Sequence, residues 1–590
     1  MSSLPKYPFD SERYLGTISE IGPTTAKINL PKAAEPAGHW IHGYRMGGGE
    51  VGEFVFIECG DRAVFGRIIY VKLPERDRLS VEPQLGKSQE SHPLGTVQLL
   101  TTLVLKSGKM LGGIPTFPKV GSRVYSAHPL LIKWVAEATQ KSEDTPNPIV
   151  LDFGIVPSAE DTQVNLTPER IFGRHAAVLG ATGGGKSWTL SRLMEEAAKY
   201  NSKIVLLDAT GEFHTLTGDS VKHVQIGDGA LPEGTERLSI PSNDFTEQDM
   251  FAMFRPSGGV QGPKLRAAMR TLKLAKALGA NAMVHDGTIC KTGLLKARFN
   301  EAYTQHVRVI ESPLADFDCT KLSTQIQYEC TFPAADFNRD QTRFGDPNQG
   351  DINYCIGLLT RIDDMLQSPE FACVFAPGAL PSFMATLNGF LGSDKKILRV
   401  SLKYLPSSHN AREIIANIIG RYLLDAAKKG AFQDKPVVVM LDEAHQFLNK
   451  SLGDENNKYP LESFELIAKE GRKFSLNICL ATQRPRDIPE GVLSQMGTLI
   501  VHRLINERDR EVVEKASGDI DKSAAAFLPT LAPGEAVIVG VDFPIPLTVQ
   551  VSKPQARPDS KGPDYQGKWK IQAQAAAAAV PVPGAPNVQS

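Results

Sequence analysis

The stretch "GATGGGKS", residues 180–187, is the part of this sequence best equipped for chemistry. Gly180, Gly185, Lys186 and Ser187 fit the spacing G-x-x-x-x-G-K-[ST]. Glycines let backbone N–H groups turn inward around a row of phosphates where a Cβ would obstruct them. A helix starting just after the loop adds partial positive charge at its first turn. The flanks match this use: an apolar strand is expected over 175–179 and a helix over 188–200. Gly180, Thr182, Gly183, Gly184, Gly185, Lys186, Ser187 and Trp188 therefore form a candidate ATP cradle. Lys186 is expected to reach the β- and γ-phosphates and Ser187 to ligate Mg²⁺. A glycine-rich turn arising by chance would lack these flanks.

Such a loop needs a carboxylate at the end of a neighbouring buried strand. "PVVVMLDEAHQF" supplies four apolar residues and then Leu441, Asp442 and Glu443. Asp442 is the candidate second metal partner, and Glu443 is placed to polarise the attacking water. The alternative is a strand ending in a solvated acidic turn. Two more strand ends point to the same crevice, where ligands sit in open α/β sheets. "LLDATGEF" brings Asp208 and Glu212, and "LATQRP" brings Thr482 and Gln483, whose amide can sense a γ-phosphate. Glu212 could equally brace a turn. The tetrapeptide "DEAH" suggests a DEAH-box helicase, but no S-A-T motif follows and no second half carries Q-x-x-G-R-x-G-R.

The elements that must position these residues fall into two kinds. Before residue 150 the sequence reads as β structure: "TAKINLP" alternates, "EFVFIECGDRAVFGRIIYVKLP" is a hairpin signal around Cys59, Gly60 and Asp61, and "TVQLLTTLVL" follows. A small barrel or sandwich over 1–150 is expected. From about Glu169 strands alternate with amphipathic helices, the α/β signature, giving an ATPase core over 151–552. The strand candidates are "HAAVLG", "KIVLLDAT", "KILRVSL", "PVVVMLDEA", "LNICLAT" and "GTLIVHRL". A helix over 410–430 has Ile414, Ile415, Ile418, Ile419, Leu423 and Leu424 on one face. Polar, mostly helical sequence over about 243–366 reads as an insertion. The Pro- and Ala-rich stretch 553–590 is expected to be a flexible tail or an extended strap on a neighbour.

Composition narrows the class. The chain has 590 residues, 42% hydrophobic and 22% charged, as in ordinary globular proteins, with a formal net charge of −1. No global basic field announces a nucleic-acid binder, although a ring or groove can gather charge locally. The seven cysteines include no C-x-x-C pair, which argues against a zinc site or a disulfide framework. No apolar run nears the ~20 residues of a membrane span, and the first residues do not read as a signal peptide. A cytoplasmic protein without membrane association is expected.

Taken together, "RHAAVLGATGGGKS", "VVVMLDEAHQF", "AKEGRKFSLNICLATQRPRDIPEGVLSQMGTLIVHRL" and "PGEAVIVG" resemble the HerA ATPases of the HerA/FtsK superfamily. The β segment resembles that family's small barrel, shared with rotary ATP synthase subunits. The resemblance covers roughly 14–551. It implies a RecA-like P-loop core, a homo-hexameric ring with ATP between subunits, and double-stranded DNA threaded through the pore. By position in the motif, Arg472 in "EGRKF" and Arg174 before the P-loop strand match arginines that reach a neighbour's nucleotide. For Arg174 an ordinary surface ion pair is the alternative, and Arg484 in "TQRP" reads as structural. Basic residues within 255–270 are a candidate DNA-gripping loop, with solvated helix charge as the competing reading. Trp188 departs from the smaller residue expected after the loop.

The function implied is an ATP-driven DNA translocase acting with a separately encoded effector, such as a nuclease or a sirtuin-like NADase, in antiviral defence. The alternatives are an end-resection motor with a NurA-like nuclease, and an ATP-gated scaffold that assembles an effector. A conjugative secretion ATPase would call for a membrane anchor.

Overall fold

The computed structural model describes residues 4–31, 39–41, 43–73, 92–137, 147–157, 162–336, 340–406, 408–448, 451–454, 457–517, 525, 527–543, 545–560 and 564–569. The first unit contains β1 (Tyr14–Ile21), β2 (Thr25–Asn29), β3 (Phe54–Cys59), β4 (Arg62–Lys72), β5 (Leu94–Val104), β6 (Lys109–Gly112) and β7 (Arg123–Ser126). They pair in the order β2-β1-β7-β3-β4-β5-β6, and a second pairing of β2 with β5 closes the sheet into a barrel. The hairpin expected at Cys59 is present, with Cys59 opposite Arg62 across a turn in which Gly60 takes φ 63°.

The run "FVFI" in β3 is apolar on both faces because both faces are buried. Val55 and Ile57 fill the barrel with Ile28, Val64, Val97 and Val124. Phe54 and Phe56 point outward with Phe65 onto a helix, α1 (Pro129–Glu137), and through it onto the next unit. Leu131, Ile132 and Val135 of α1 are buried in that seam. The barrel and the larger unit therefore share one continuous apolar cluster.

The larger unit contains β8 (Leu151–Ile155), β9 (Gln163–Leu166), β10 (Ala176–Leu179), β11 (Lys203–Asp208), β12 (Val221–Ile226), β13 (Thr235–Leu238), β14 (Ile397–Ser401), β15 (Val437–Leu441), β16 (Leu476–Thr482), β17 (Thr498–His502), β18 (Glu535–Gly540) and β19 (Leu547–Val551). They form a 12-stranded sheet in the order β9-β8-β19-β18-β17-β10-β16-β15-β11-β14-β12-β13. From β17 to β13 all neighbours run parallel. The edge strands β18, β19, β8 and β9 are antiparallel. Every residue of β10, β11 and β17 is buried, as expected of parallel strands covered on both faces. This is a RecA-like α/β core, and all six strand candidates read from the sequence lie in it.

The loop residues at 180–187 lead into α2 (Lys186–Ala198). The sheet is then interrupted by α3 (Glu247–Phe254), α4 (Gln261–Leu278), α5 (Lys296–Ile310), α6 (Leu322–Glu329), α7 (Gln349–Gln367) and α8 (Phe383–Gly392). The helical stretch thus continues past residue 366, because Phe371, Phe375, Phe383 and Phe390 pack on the same core as the helices before them. The amphipathic helix expected over 410–430 is α9 (Ala411–Lys428), with all six predicted face residues buried.

Candidate active site

The loop at the carboxyl end of β10 has the conformation its glycines predict. Gly183 and Gly185 have φ of 75° and 118°, in the left-handed region that a side chain disfavours. A Cβ on Gly180 would lie 2.6 Å from His502 Cβ, so the loop can rest on β17 only with glycine there. Ala181 N–H donates to the Arg503 carbonyl (2.9 Å), and Gly534 N–H donates to the Gly184 carbonyl (3.1 Å). These bonds tie the loop to β17 and to the turn before β18. Lys186 is buried, and its Nζ reaches back over the loop to the Ala181 carbonyl at 3.2 Å. Burial lowers its pKa, while Glu443, Asp442 and Glu212 oppose that shift.

Carboxylates gather opposite the lysine. Asp442, one residue past β15, is buried, and its Oδ2 has no hydrogen-bond partner among the described residues. Burial, then the charges of Asp208, Glu443 and Glu212, push its pKa well above the usual carboxylate range, and Lys186 alone counters them. Glu212 resolves differently from the turn brace it could have been. Its Oε2 accepts a hydrogen bond from Ser187 Oγ at 3.1 Å, and burial raises its pKa. The brace is Asp208, which accepts from Gly211 N–H (2.7 Å), Phe213 N–H (3.1 Å) and Arg399 Nε (2.7 Å). That buried ion pair fixes the turn which presents Glu212.

An unpartnered buried carboxylate oxygen, a serine hydroxyl and further carboxylates suit a hard cation shared with phosphate oxygens, which is how Mg²⁺ is held. Among the described residues no three His, Cys, Asp or Glu side chains form an all-protein cage. The residues present fit a metal that arrives with the nucleotide.

Glu443 stands in the left-handed region, φ 49° and ψ 48°. For a non-glycine residue this stores about 1–2 kcal/mol of strain, a cost that recurs at functional positions. Its Oε2 lies 3.2 Å from His445 Nδ1, which is also 3.2 Å from Thr482 Oγ1. His445, noticed only as part of "DEAH", thus links the β15 and β16 strand ends. Gln483 Oε1 accepts from Thr182 Oγ1 at 2.5 Å, so the amide sits over the loop as its position at a strand end implied.

His502 was missed altogether. It lies under the loop, with Nε2 at 2.8 Å from Thr189 Oγ1 and Nδ1 at 2.8 Å from the Glu535 carbonyl. Burial drives its pKa down to about 4, so it is a neutral support for the glycine backbone. Its sequence signal was a polar residue ending the buried strand "TLIVH".

Arg174 and Arg472 lie elsewhere. Both precede strands, β10 and β16, and so sit at the opposite edge of the sheet from their own loop. Arg472 is exposed, in the turn Gly471–Phe474, with its charge close enough to His175 to help depress that imidazole. Arg174 pairs with Asp542 at 3.0 Å and stays partly exposed. Arg484 pairs with Asp487 at 3.7 Å. In the candidate DNA loop 255–270, Lys264 pairs with Asp351 (2.9 Å), Arg266 with Glu247 (2.5 Å) and Arg270 with Glu311 (2.9 Å). Those charges are neutralised at home, which favours the helix-surface reading of that stretch.

Two family models match the chain: "Helicase HerA, central domain" over residues 151–346, and "Helicase HerA-like C-terminal" over residues 427–556. The DNA double-strand break repair helicase HerA of Sulfurisphaera tokodaii is 30% identical over 404 residues, 67% of this chain and 68% of that one. The corresponding helicase of Sulfolobus acidocaldarius is 23% identical over 421 residues, 70% and 72% of the two chains. Among solved structures, the plasmid coupling protein TrwB in complex with ADP and Mg²⁺ aligns with 67% of this chain and 89% of its own, at 14% identity and a TM-score of 0.41. Among the described residues no helix is long and apolar enough to cross a membrane.

Proposed function

The chain belongs to the HerA family and is an ATPase, and on that premise we propose that it is a motor that moves double-stranded DNA through a homo-hexameric ring. One observation carries the ring: the phosphate loop is at one edge of the sheet, and the two matching arginines, Arg174 and Arg472, are at the other. A site of this kind is completed by a neighbour in a head-to-tail arrangement, which closes into a ring. The relatives named as DNA double-strand break repair helicases supply the substrate class.

In this reading the loop N–H groups and Lys186 hold the phosphates of ATP. Ser187 and Asp442 would hold Mg²⁺, which would supply charge neutralisation on the phosphates. Glu443 orients a water and takes its proton, with His445 beside the carboxylate and held in turn by Thr482. Gln483 senses the γ-phosphate. Arg472, and Arg174 with it, come from the next subunit to stabilise charge on the transferring group. Glu212 accepts the Ser187 hydroxyl proton, which would leave the oxygen's lone pairs free for the metal. Replacing Glu212 by Gln keeps the shape and removes the charge. The expected result is that about tenfold more Mg²⁺ is needed for ATP binding, the usual scale for an outer partner of a metal ligand. Titrating Mg²⁺ against a fluorescent ATP analogue measures it.

The setting we propose is antiviral defence with a separately encoded nuclease or sirtuin-like NADase, with end resection beside a NurA-like nuclease as the alternative. Displacement of a third strand from a DNA triplex tests the motor itself. Wild-type protein with ATP should strip the strand from a linear duplex, and duplex DNA should stimulate phosphate release. Turnover that ignores DNA and leaves the triplex intact would rule out translocation.

A further inference from the structure

The Pro-rich end of the chain does not leave the molecule at once. After β19, residues 552–560 lie along α2, the helix that begins at Lys186. Gln555 and Ala556 N–H groups donate to the two carboxylate oxygens of Glu195, at 3.0 and 2.6 Å. Asp559 N–H donates to the Glu212 carbonyl at 2.9 Å, and Pro554 and Pro558 are buried. Between these anchors the guanidinium of Arg557 lies over the Trp188 ring, 5.9 Å from its centroid.

The spacing is consistent. Trp188 and Glu195 are seven residues apart, so they share a helix face about 10 Å from end to end. An extended segment rising about 3.3 Å per residue covers that distance in three residues. The strap therefore descends one face of α2 toward its first turn. It ends pinned to the residue whose carboxylate holds Ser187.

That first turn is where a nucleotide's base must emerge. Lys186 and Ser187 are committed to the β and γ end of the phosphates, which leaves the α-phosphate, ribose and base on the side of the next residue. The next residue is Trp188, half-buried and faced by an exposed arginine. We infer that Trp188 and Arg557 form the wall on which the base of the bound nucleotide stacks, making the C-terminal strap part of the nucleotide site. The inference rests on the reading of 180–187 as an ATP cradle.

Calorimetric titration with MgATP and with Mg²⁺-tripolyphosphate, which has the phosphates and no base, tests it. Arg557→Ala should weaken ATP binding about fivefold and Trp188→Leu about tenfold, the scale of cation–π and base-stacking contacts. Trp188→Phe should fall between Trp188→Leu and the wild type. Tripolyphosphate affinity should not change in any of them. Equal losses for ATP and tripolyphosphate would mean that the pair serves the phosphates or the fold, and would overturn the proposal. Unchanged ATP binding in the Arg557→Ala protein, an exposed position where folding is not at risk, would overturn it as well. Wild-type protein that binds neither ligand would overturn the cradle itself and the stacking wall with it.

Discussion

Glu443→Gln protein is expected to bind MgATP normally and to turn it over about a thousandfold more slowly, the loss typical of removing a positioned general base. The amide keeps the length and shape of the carboxylate, so the left-handed backbone at φ 49° and the contact with His445 can persist. Only the capacity to take a proton from water is removed. Phosphate release and binding of a fluorescent ATP analogue, measured on one preparation, separate the two effects. The same variant decides between motor and scaffold. A translocase needs turnover, so Glu443→Gln should abolish triplex displacement and biological activity while leaving assembly intact. If biological activity survives at full strength, ATP acts as a binding switch and the ring is a scaffold.

The site was legible in the sequence where its chemistry is local. The phosphate loop declares itself because eight consecutive positions and two flanking elements must all agree, and Asp442 and Glu443 do so because they end an apolar strand. Glu212 stayed open because its partner, Ser187, lies 25 residues away, and only the fold brings the hydroxyl to 3.1 Å. His502 was invisible for the same reason: Thr189 is 313 positions distant. At 255–270 the pattern left a DNA-gripping loop and a solvated helix surface both open, and three of the charges there have partners within the chain. Arg270 is neutralised by Glu311, a partner 41 residues on that belongs to the end of another helix.

The fold shows the same division. Parallel strands announce themselves as unbroken apolar runs, so β10, β11, β15, β16 and β17 could be read directly. The edge could not: β8 joins the sheet by pairing Gly154 with Val551, a register set across most of the chain. Composition says that the terminal segment has too little apolar surface to fold by itself, and it cannot say what the segment lies on. The anchors that decide this for 552–560 are two carboxylate oxygens of Glu195 on α2.

Arg472→Ala is expected to reduce ATP turnover about a thousandfold, at the lower end of what an arginine supplied across an interface contributes. The reason for expecting a trans role is distance. Arg472 precedes β16, and the phosphate loop follows the neighbouring strand β10 at its far end. The seven residues of β16 span about 23 Å, farther than an arginine side chain extends. In its own subunit Arg472 cannot touch the phosphates that Lys186 holds. Mixing Arg472→Ala protein with Lys186→Ala protein separates the two possibilities. Each variant alone lacks one half of every site. In randomly mixed rings about one interface in four pairs an intact loop with an intact arginine from its neighbour. Turnover should therefore reappear on mixing and scale with the fraction of mixed rings, verified by mass. If Arg472 acted within its own subunit, no mixture would restore a site, and turnover would stay at the level of the variants.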